Sequence, residues 1–422
     1  MLKKLIIILY IALLFVMAAA TLVEKANSTD YAHEHIYGAW WFVALWAALA
    51  IAGAIYYIMY ARRSFHVRSA LLHLSLVVIL IGAFISFTQG FNGNIHLRQG
   101  YPERLMVEKN RGKHLTRMLP FALKLDTFEI KQDSTSRIVD YTSRFNIISP
   151  PAPVRGRTEQ AEVSMNNIYK YGEYRFYQAS YDEDLRGSIL IINHDFYGIT
   201  VTYIGYALLF ISFILLYLPT NLPHPLHKEG RSPHEERGAS PFNRLRADYV
   251  PATRKQQWWI AVAVVLLTLL WCLDYFVLDG SWREIPVLRH PLLAIHVTTI
   301  ILAYALLLVM ALKSLWWLIR KQETKPLKSS KELTVALGLL CGGIFIGAIW
   351  ANVSWGNYWT WDAKETWALI TLMVYAIPAH RRMFPVFNNP KVYHAYILLA
   401  FLCILMTYFG VNHFLTGMHS YA

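Results

Sequence analysis

What most limits the folds open to this chain is the spacing of its apolar residues. They collect into nine runs, at 2–23, 38–60, 69–88, 197–218, 257–275, 291–319, 333–350, 367–384 and 392–410. About 20 apolar residues, at a helical rise of ~1.5 Å each, cross a hydrocarbon core ~30 Å thick. Inside that core every backbone N–H and C=O must be satisfied, so such runs cross as helices. The composition agrees, since 55% of the 422 residues are hydrophobic, too many for an ordinary soluble protein. The first run follows Lys3-Lys4 and contains Ala18-Ala-Ala20, which resembles a signal peptide. Its length favours a retained first helix.

Lysine and arginine sort the loops. Segments 1–4, 61–68, 219–257, 319–331 and 380–391 hold 20 Lys/Arg and 5 Asp/Glu, whereas 24–37, 274–290, 350–366 and 411–422 hold 4 and 8. Basic loops stay on the cytoplasmic side. The N-terminus is therefore expected inside, with the C-terminus and 350–366 outside. The net charge of +13 is a topology signal, and nucleic-acid binding is not supported. Cys272, Cys341 and Cys403 each lie in an apolar run and form no C-x-x-C pair, so they read as small buried residues.

Residues 89–196 form the one large polar insertion, on the outer side by the same count. Alternating stretches at Phe121–Ile130, Tyr141–Ile148, Tyr174–Gln178 and Ser188–Ile192 predict strands of a small sandwich-like domain. The fold class is thus an all-α polytopic membrane protein of about nine transmembrane helices with a small β-rich periplasmic domain. Residues 219–256, with six prolines and mixed charge, read as a cytoplasmic linker. The parts are then 1–88, 89–196, 197–218, 219–256 and 257–422.

The densest chemistry lies at 350–367. Trp355, Tyr358, Trp359, Trp361 and Trp367 surround Asp362, Lys364 and Glu365. Trp and Tyr favour the membrane boundary, but this many rings suggest a flat aromatic platform for a large planar ligand. An interfacial belt and a ligand shelf both fit.

Histidine depth is the other signal. His73 lies five residues beyond Arg68, ~7–8 Å into its span. His380 closes the span 367–384, which is expected to continue to Phe384 before Pro385 stops it. That places His380 about one turn inside, at similar depth. A polar ring in lipid suggests function by default, with a helix–helix hydrogen bond as the alternative. His394 is a rival at comparable depth. His296 opens a 29-residue run, long enough for its first turns to project outside, level with the tryptophans. His419 lies in the external tail.

The Trp-rich string resembles the "WWD" signature of haem-handling proteins of cytochrome c maturation. The endings Gly410-Val-Asn412 and Gly417-Met-His419-Ser-Tyr-Ala422 are similar to the CcsA (ResC) branch. Leu71-Leu-His-Leu-Ser75 and Tyr174-Arg-Phe-Tyr-Gln-Ala-Ser-Tyr-Asp182 are similar to CcsB (ResB). The chain therefore resembles a compact fusion of both, a System II cytochrome c synthetase of a bacterial inner membrane. Residues 1–88, 89–196 and 197–218 would be the CcsB-like part and 257–422 the CcsA-like part. The resemblance implies haem b as substrate and bound group, with His73 and His380 as transmembrane iron ligands and His296 and His419 as external ones. His290 and His413 are the fallbacks for the external pair. It further implies that Trp355, Trp359, Trp361 and Asp362 act with His296 and His419 in attachment. Tyr358, Trp367 and Lys364 would help hold the haem, with Arg283 and Arg289 as further propionate partners. The implied partners are apocytochrome c bearing Cys-x-x-Cys-His, thiol-reducing periplasmic proteins and membrane lipid. A haem exporter without ligase activity, and a non-catalytic respiratory assembly factor, are the competing readings.

Overall fold

The computed structural model describes residues 1–61, 67–110, 113–132, 138–149, 158–165, 167–217, 291–320 and 330–415. The expected span 257–275, the linker, His290, Arg283, Arg289 and His419 lie outside them. Among the described residues, eight helices carry the fold: α1 (Leu2–Ala26), α2 (Trp40–Ala61), α3 (Val67–Gln89), α4 (Phe196–Tyr217), α5 (Pro291–Arg320), α6 (Ser330–Trp355), α7 (Ala363–Ala376) and α8 (Pro390–Leu405). A π-turn, Met406–Gly410, carries α8 on to Phe414. Among the described residues, seven helices are long and apolar enough to cross a membrane, all but α7.

The span expected over 367–384 is corrected. α7 starts earlier, at Ala363, and ends at Ala376, followed by a 3-10 turn, Ile377–Ala379. Pro378, not Pro385, is the breaker. Proline lacks the N–H that would continue the ladder, and its ring clashes with the carbonyl four residues back. That carbonyl, of Val374, accepts instead from the Ile377 N–H and from Tyr396 Oη at 2.9 Å. Helix and turn together rise ~27 Å. His380 therefore stands at the end of the helical segment rather than one turn inside it.

Small residues line the α3–α4 and α5–α6 crossings. A Cβ on Gly205 of α4 would lie 2.6 Å from Ile79 Cγ1 of α3. On α6, a Cβ on Gly343 would lie 2.6 Å from Ile300 of α5, and one on Gly347 would lie 2.6 Å from His296. Gly343 and Gly347 form a G-x-x-x-G pair, the spacing that lets membrane helices approach closely.

Between α3 and α4 the chain folds into one antiparallel sheet of eight strands: β1 (Phe91–Arg98), β2 (Pro102–Asn110), β3 (Lys113–Gln132), β4 (Ile138–Ile148), β5 (Thr158–Ser164), β6 (Tyr169–Tyr171), β7 (Tyr174–Tyr181) and β8 (Gly187–His194). The order is β5-β4-β3-β2-β1-β8-β7-β6. Ser143 of β4 bonds Gln178 of β7 at 2.6 Å and Ser188 of β8 at 2.7 Å, so the sheet folds over on itself. Leu97, Leu123, Phe145, Phe176 and Leu190 fill the resulting core. The expected sandwich is thus one continuous sheet around a single core. β3, β4, β7 and β8 match the four stretches read from alternation.

The histidine positions and the tryptophan-rich loop

The sheet end of the molecule organises the Trp-rich loop. Asn352, near the end of α6 and 2% exposed, is its anchor. Its Oδ1 accepts from Arg175 of β7 at 3.2 Å and from Tyr203 Oη of α4 at 2.9 Å. Its Nδ2 donates to the Gly356 carbonyl at 3.2 Å, and Asn193 of β8 donates to the same oxygen at 2.8 Å. Asn92 of β1 donates to Asn357 at 2.7 Å, and Tyr358 Oη donates to Ser86 Oγ of α3 at 2.9 Å. Gly356 has φ +83°, and a Cβ there would lie 2.8 Å from the Tyr177 ring. That backbone shape and that closeness both require glycine.

The aromatic rings do not form one flat platform. Trp359 and Trp361 stand 84° apart, with centroids separated by 5.7 Å. Trp361 has φ +56°, and its ring stacks on Tyr37 at 5.1 Å and meets Phe42 edge-on at 5.1 Å. Trp355 packs on Trp350 at 4.7 Å. Trp367 Nε1 donates to Thr21 of α1 at 3.2 Å. The positive-φ residues turn the backbone between successive indoles, so the rings enter different clusters.

The charged residues of the loop support its backbone. Asp362 caps α7, accepting from the N–H groups of Lys364 at 2.7 Å and Glu365 at 3.3 Å. Glu365 reaches back to the Thr360 N–H at 2.8 Å. The D-x-x-E spacing is that of a capping box, but the Glu365 carboxylate reaches two residues past the N-cap Asp362, to Thr360. Lys364 donates to Asn412 at 3.0 Å, and burial lowers its pKa from the usual lysine range.

Sequence reasoning missed His33. It lies in the turn after α1, and its Nε2 is 2.7 Å from the Thr360 carbonyl of the Trp-rich loop. Residues so far apart in sequence carry no local signal of that contact.

His73 on α3 and His380 after α7 come together at the end of the bundle away from the sheet. Their ring centroids are 6.1 Å apart and their planes 86° apart. His73 Nδ1 lies 2.7 Å from the Ser69 carbonyl, and His380 Nδ1 lies 2.8 Å from the Ala376 carbonyl. A carbonyl only accepts, so Nδ1 carries the proton in each ring and Nε2 carries the lone pair. That is the tautomer a metal-binding imidazole needs. An ion ~2 Å from each nitrogen would set the ring centres ~6 Å apart, which fits the observed spacing. Tyr57 of α2 stacks on His73 at 4.8 Å. Helix α3 rises ~24 Å from His73 to Gln89 at the sheet end.

His296 is lower than expected. Its Nδ1 lies 2.7 Å from the Gly343 carbonyl, ~18 Å along α6 from Trp355. The G-x-x-x-G groove seats the ring there, so the first turns of α5 do not carry it level with the tryptophans. His413 is exposed near the Trp-rich end. His394 stacks on Trp317 at 4.6 Å and its Nδ1 is 3.0 Å from Ser314 Oγ, a structural pairing between α8 and α5.

Two family models match the chain: the ResB-like family over residues 58–224 and the Cytochrome C assembly protein over residues 250–419. Protein NrfI of Wolinella succinogenes is 39% identical over 151 residues, covering 33% of this chain and 17% of that protein. Cytochrome c biogenesis protein CcsA of Chlamydomonas reinhardtii is 37% identical over 150 residues, covering 32% of this chain and 42% of that protein. The chain thus spans less than half the length of either. CcsA of Cyanophora paradoxa is 31% identical over 216 residues, 37% of this chain and 67% of that protein. The chain belongs to the cytochrome c biogenesis protein CcsA family and carries a ResB-like region ahead of the CcsA-like one in a single polypeptide.

Proposed function

We propose that this protein moves haem from a site at His73 and His380 to an outer site at the Trp-rich loop and joins it there to apocytochrome c. The single observation that carries the reading is the His73–His380 pair. Two imidazoles from the ResB-like and CcsA-like parts meet at 6.1 Å, each with Nδ1 directed at a backbone carbonyl. A helix–helix hydrogen bond would instead direct one ring nitrogen at the other element. Domain limits follow the same division: 1–88, 89–196 and 197–218 serve the first part and 257–422 the second, joined by a linker at 219–256.

At the outer site, Trp355, Tyr358, Trp359, Trp361 and Trp367 would bound the haem, with His419 as iron ligand. His296, deep in the groove of α6, suits a ligand on the path between the levels better than one at the surface. Asp362 acts by holding the loop. The apocytochrome presents Cys-x-x-Cys-His. Each thiol adds across a vinyl group: sulfur bonds one vinyl carbon, the thiol hydrogen passes to the other, and no net electron is transferred. The protein supplies position and exclusion of water, while the vinyl chemistry belongs to the haem. On this reading the N-terminus is cytoplasmic and the sheet lies outside the bacterial inner membrane.

The test is co-expression with a Cys-x-x-Cys-His apocytochrome in a host lacking other maturation proteins. Covalent haem on the apocytochrome is the expected result. Haem on the purified membrane protein with none on the apocytochrome would indicate the exporter instead, and no haem on either would leave the assembly-factor reading.

A further inference from the structure

The membrane end around His73 and His380 carries two buried hydrogen-bond donors with no partner among the described residues, Arg381 Nη2 and Tyr60 Oη. Such groups are rare and costly when unpaired. Both sit beside the histidine pair. Arg381 follows His380 directly, and its guanidinium stands 5.1 Å from the Tyr393 ring. Tyr60 lies one helical turn beyond Tyr57, the residue stacked on His73. The Arg382 guanidinium stands 5.0 Å from the Tyr60 ring, and the Arg382 carbonyl accepts from Lys3 Nζ at 3.4 Å. Arg382 and Tyr60 therefore stand together on the end side of the pair, and Arg381, between His380 and Arg382 in the chain, adds a second guanidinium there. No carboxylate pairs with either arginine among the described residues.

We infer that Arg381, Arg382 and Tyr60 bind the propionate carboxylates of haem held between His73 and His380. The inference rests on the proposed haem site and adds the groups that orient its substrate. Guanidinium and phenol donors suit a carboxylate, because hydrogen bonds to a charged acceptor are the strong ones. Arginine's planar fork can take both oxygens of one carboxylate. The cluster lies only on the end side of the pair. It would therefore bind haem with its acidic edge toward the polar loops and its vinyl edge toward the bundle.

The test uses the full-length chain carrying His419→Ala, purified in mild detergent and depleted of haem. It is titrated with haem and with haem dimethyl ester, in which both carboxylates are masked. The unaltered cluster should bind free haem at least ~10-fold more tightly than the ester, the lower range of a charge-assisted hydrogen bond. Arg381→Met with Arg382→Met should reduce that preference to near unity while leaving ester binding unchanged. Retention of the full preference in the double variant would overturn the inference. Equal weakening toward both forms would also overturn it, placing the arginines on lipid phosphates or on the fold. Tyr60→Phe, which preserves the ring, should lose part of the preference. If the unaltered chain binds neither form, the haem site itself fails. If it binds both equally and His73→Ala abolishes that binding, only the propionate assignment fails.

Discussion

The His296 ring lies close against Gly347 in the CcsA-like bundle, and replacing that glycine by alanine should measurably weaken the helix pair. The new Cβ would stand 2.6 Å from both Cε1 and Nδ1 of His296, where ordinary contact is ~3.5–4 Å. The ring must retreat ~1 Å, which stretches the 2.7 Å bond from Nδ1 to the Gly343 carbonyl beyond the hydrogen-bonding range. Overpacking costs ~1–3 kcal/mol and the lost bond ~0.5–1.5 kcal/mol, while alanine recovers ~1 kcal/mol of helix propensity. The net loss is ~1–3 kcal/mol, or ~1–3 °C in the melting midpoint of a chain of 422 residues. Gly342→Ala is the internal control. A Cβ there meets only Phe210, at 3.6 Å, so its midpoint should stay level or rise. Thermal unfolding in one detergent, followed by near-ultraviolet circular dichroism, compares the three chains. Equal midpoints for Gly347→Ala and the unaltered protein would refute the reasoning.

Two further outcomes follow from the Trp-rich end. Asn352→Ala removes the shared partner of Arg175, Tyr203 and the Gly356 carbonyl; stranding these buried groups should cost ~2–4 kcal/mol locally. Hydrogen exchange across 352–362 should accelerate in that variant, whereas Asn352→Asp, which keeps the acceptor, should be affected less; unchanged exchange in the alanine variant would contradict the anchor role. Asp195, between β8 and α4, has a pKa raised chiefly by burial. The folded chain therefore binds that proton more tightly than the unfolded chain. This contribution is fully present below the unfolded value of ~3.9 and is lost as pH rises through the folded one. Asp195→Asn should be more stable than the unaltered chain at pH 7, with the gap closing toward pH 4. A constant gap across that range would contradict the burial argument.

The membrane helices were legible because lipid imposes one rule on every run, and apolar length alone reports it. The place of His73 near the start of α3 was legible for the same reason, since Arg68 marks the end of that run. The end of α7 was legible too, through Pro378, but the weight placed on Pro385 carried the expected helix too far. The height of His296 was not. It depends on Gly343 and Gly347 of another helix, and a groove between helices leaves no trace in the run that fills it. Nor was the dispersal of the indoles readable, because Trp361, at positive φ, packs on Tyr37 and Phe42 of a remote segment. Four of the eight strands were missed for a related reason. In β1, Asn92, Gly93 and Asn94 dilute the alternation that Ile95 and Leu97 complete.

The central claim is that one iron porphyrin is held between His73 and His380. It is tested most directly by electron paramagnetic resonance and absorption spectra of the His419→Ala chain, purified after haem-replete growth. A low-spin signal from two imidazole ligands is expected, disappearing in both His73→Ala and His380→Ala. The same low-spin signal persisting when both histidines are replaced would contradict the account.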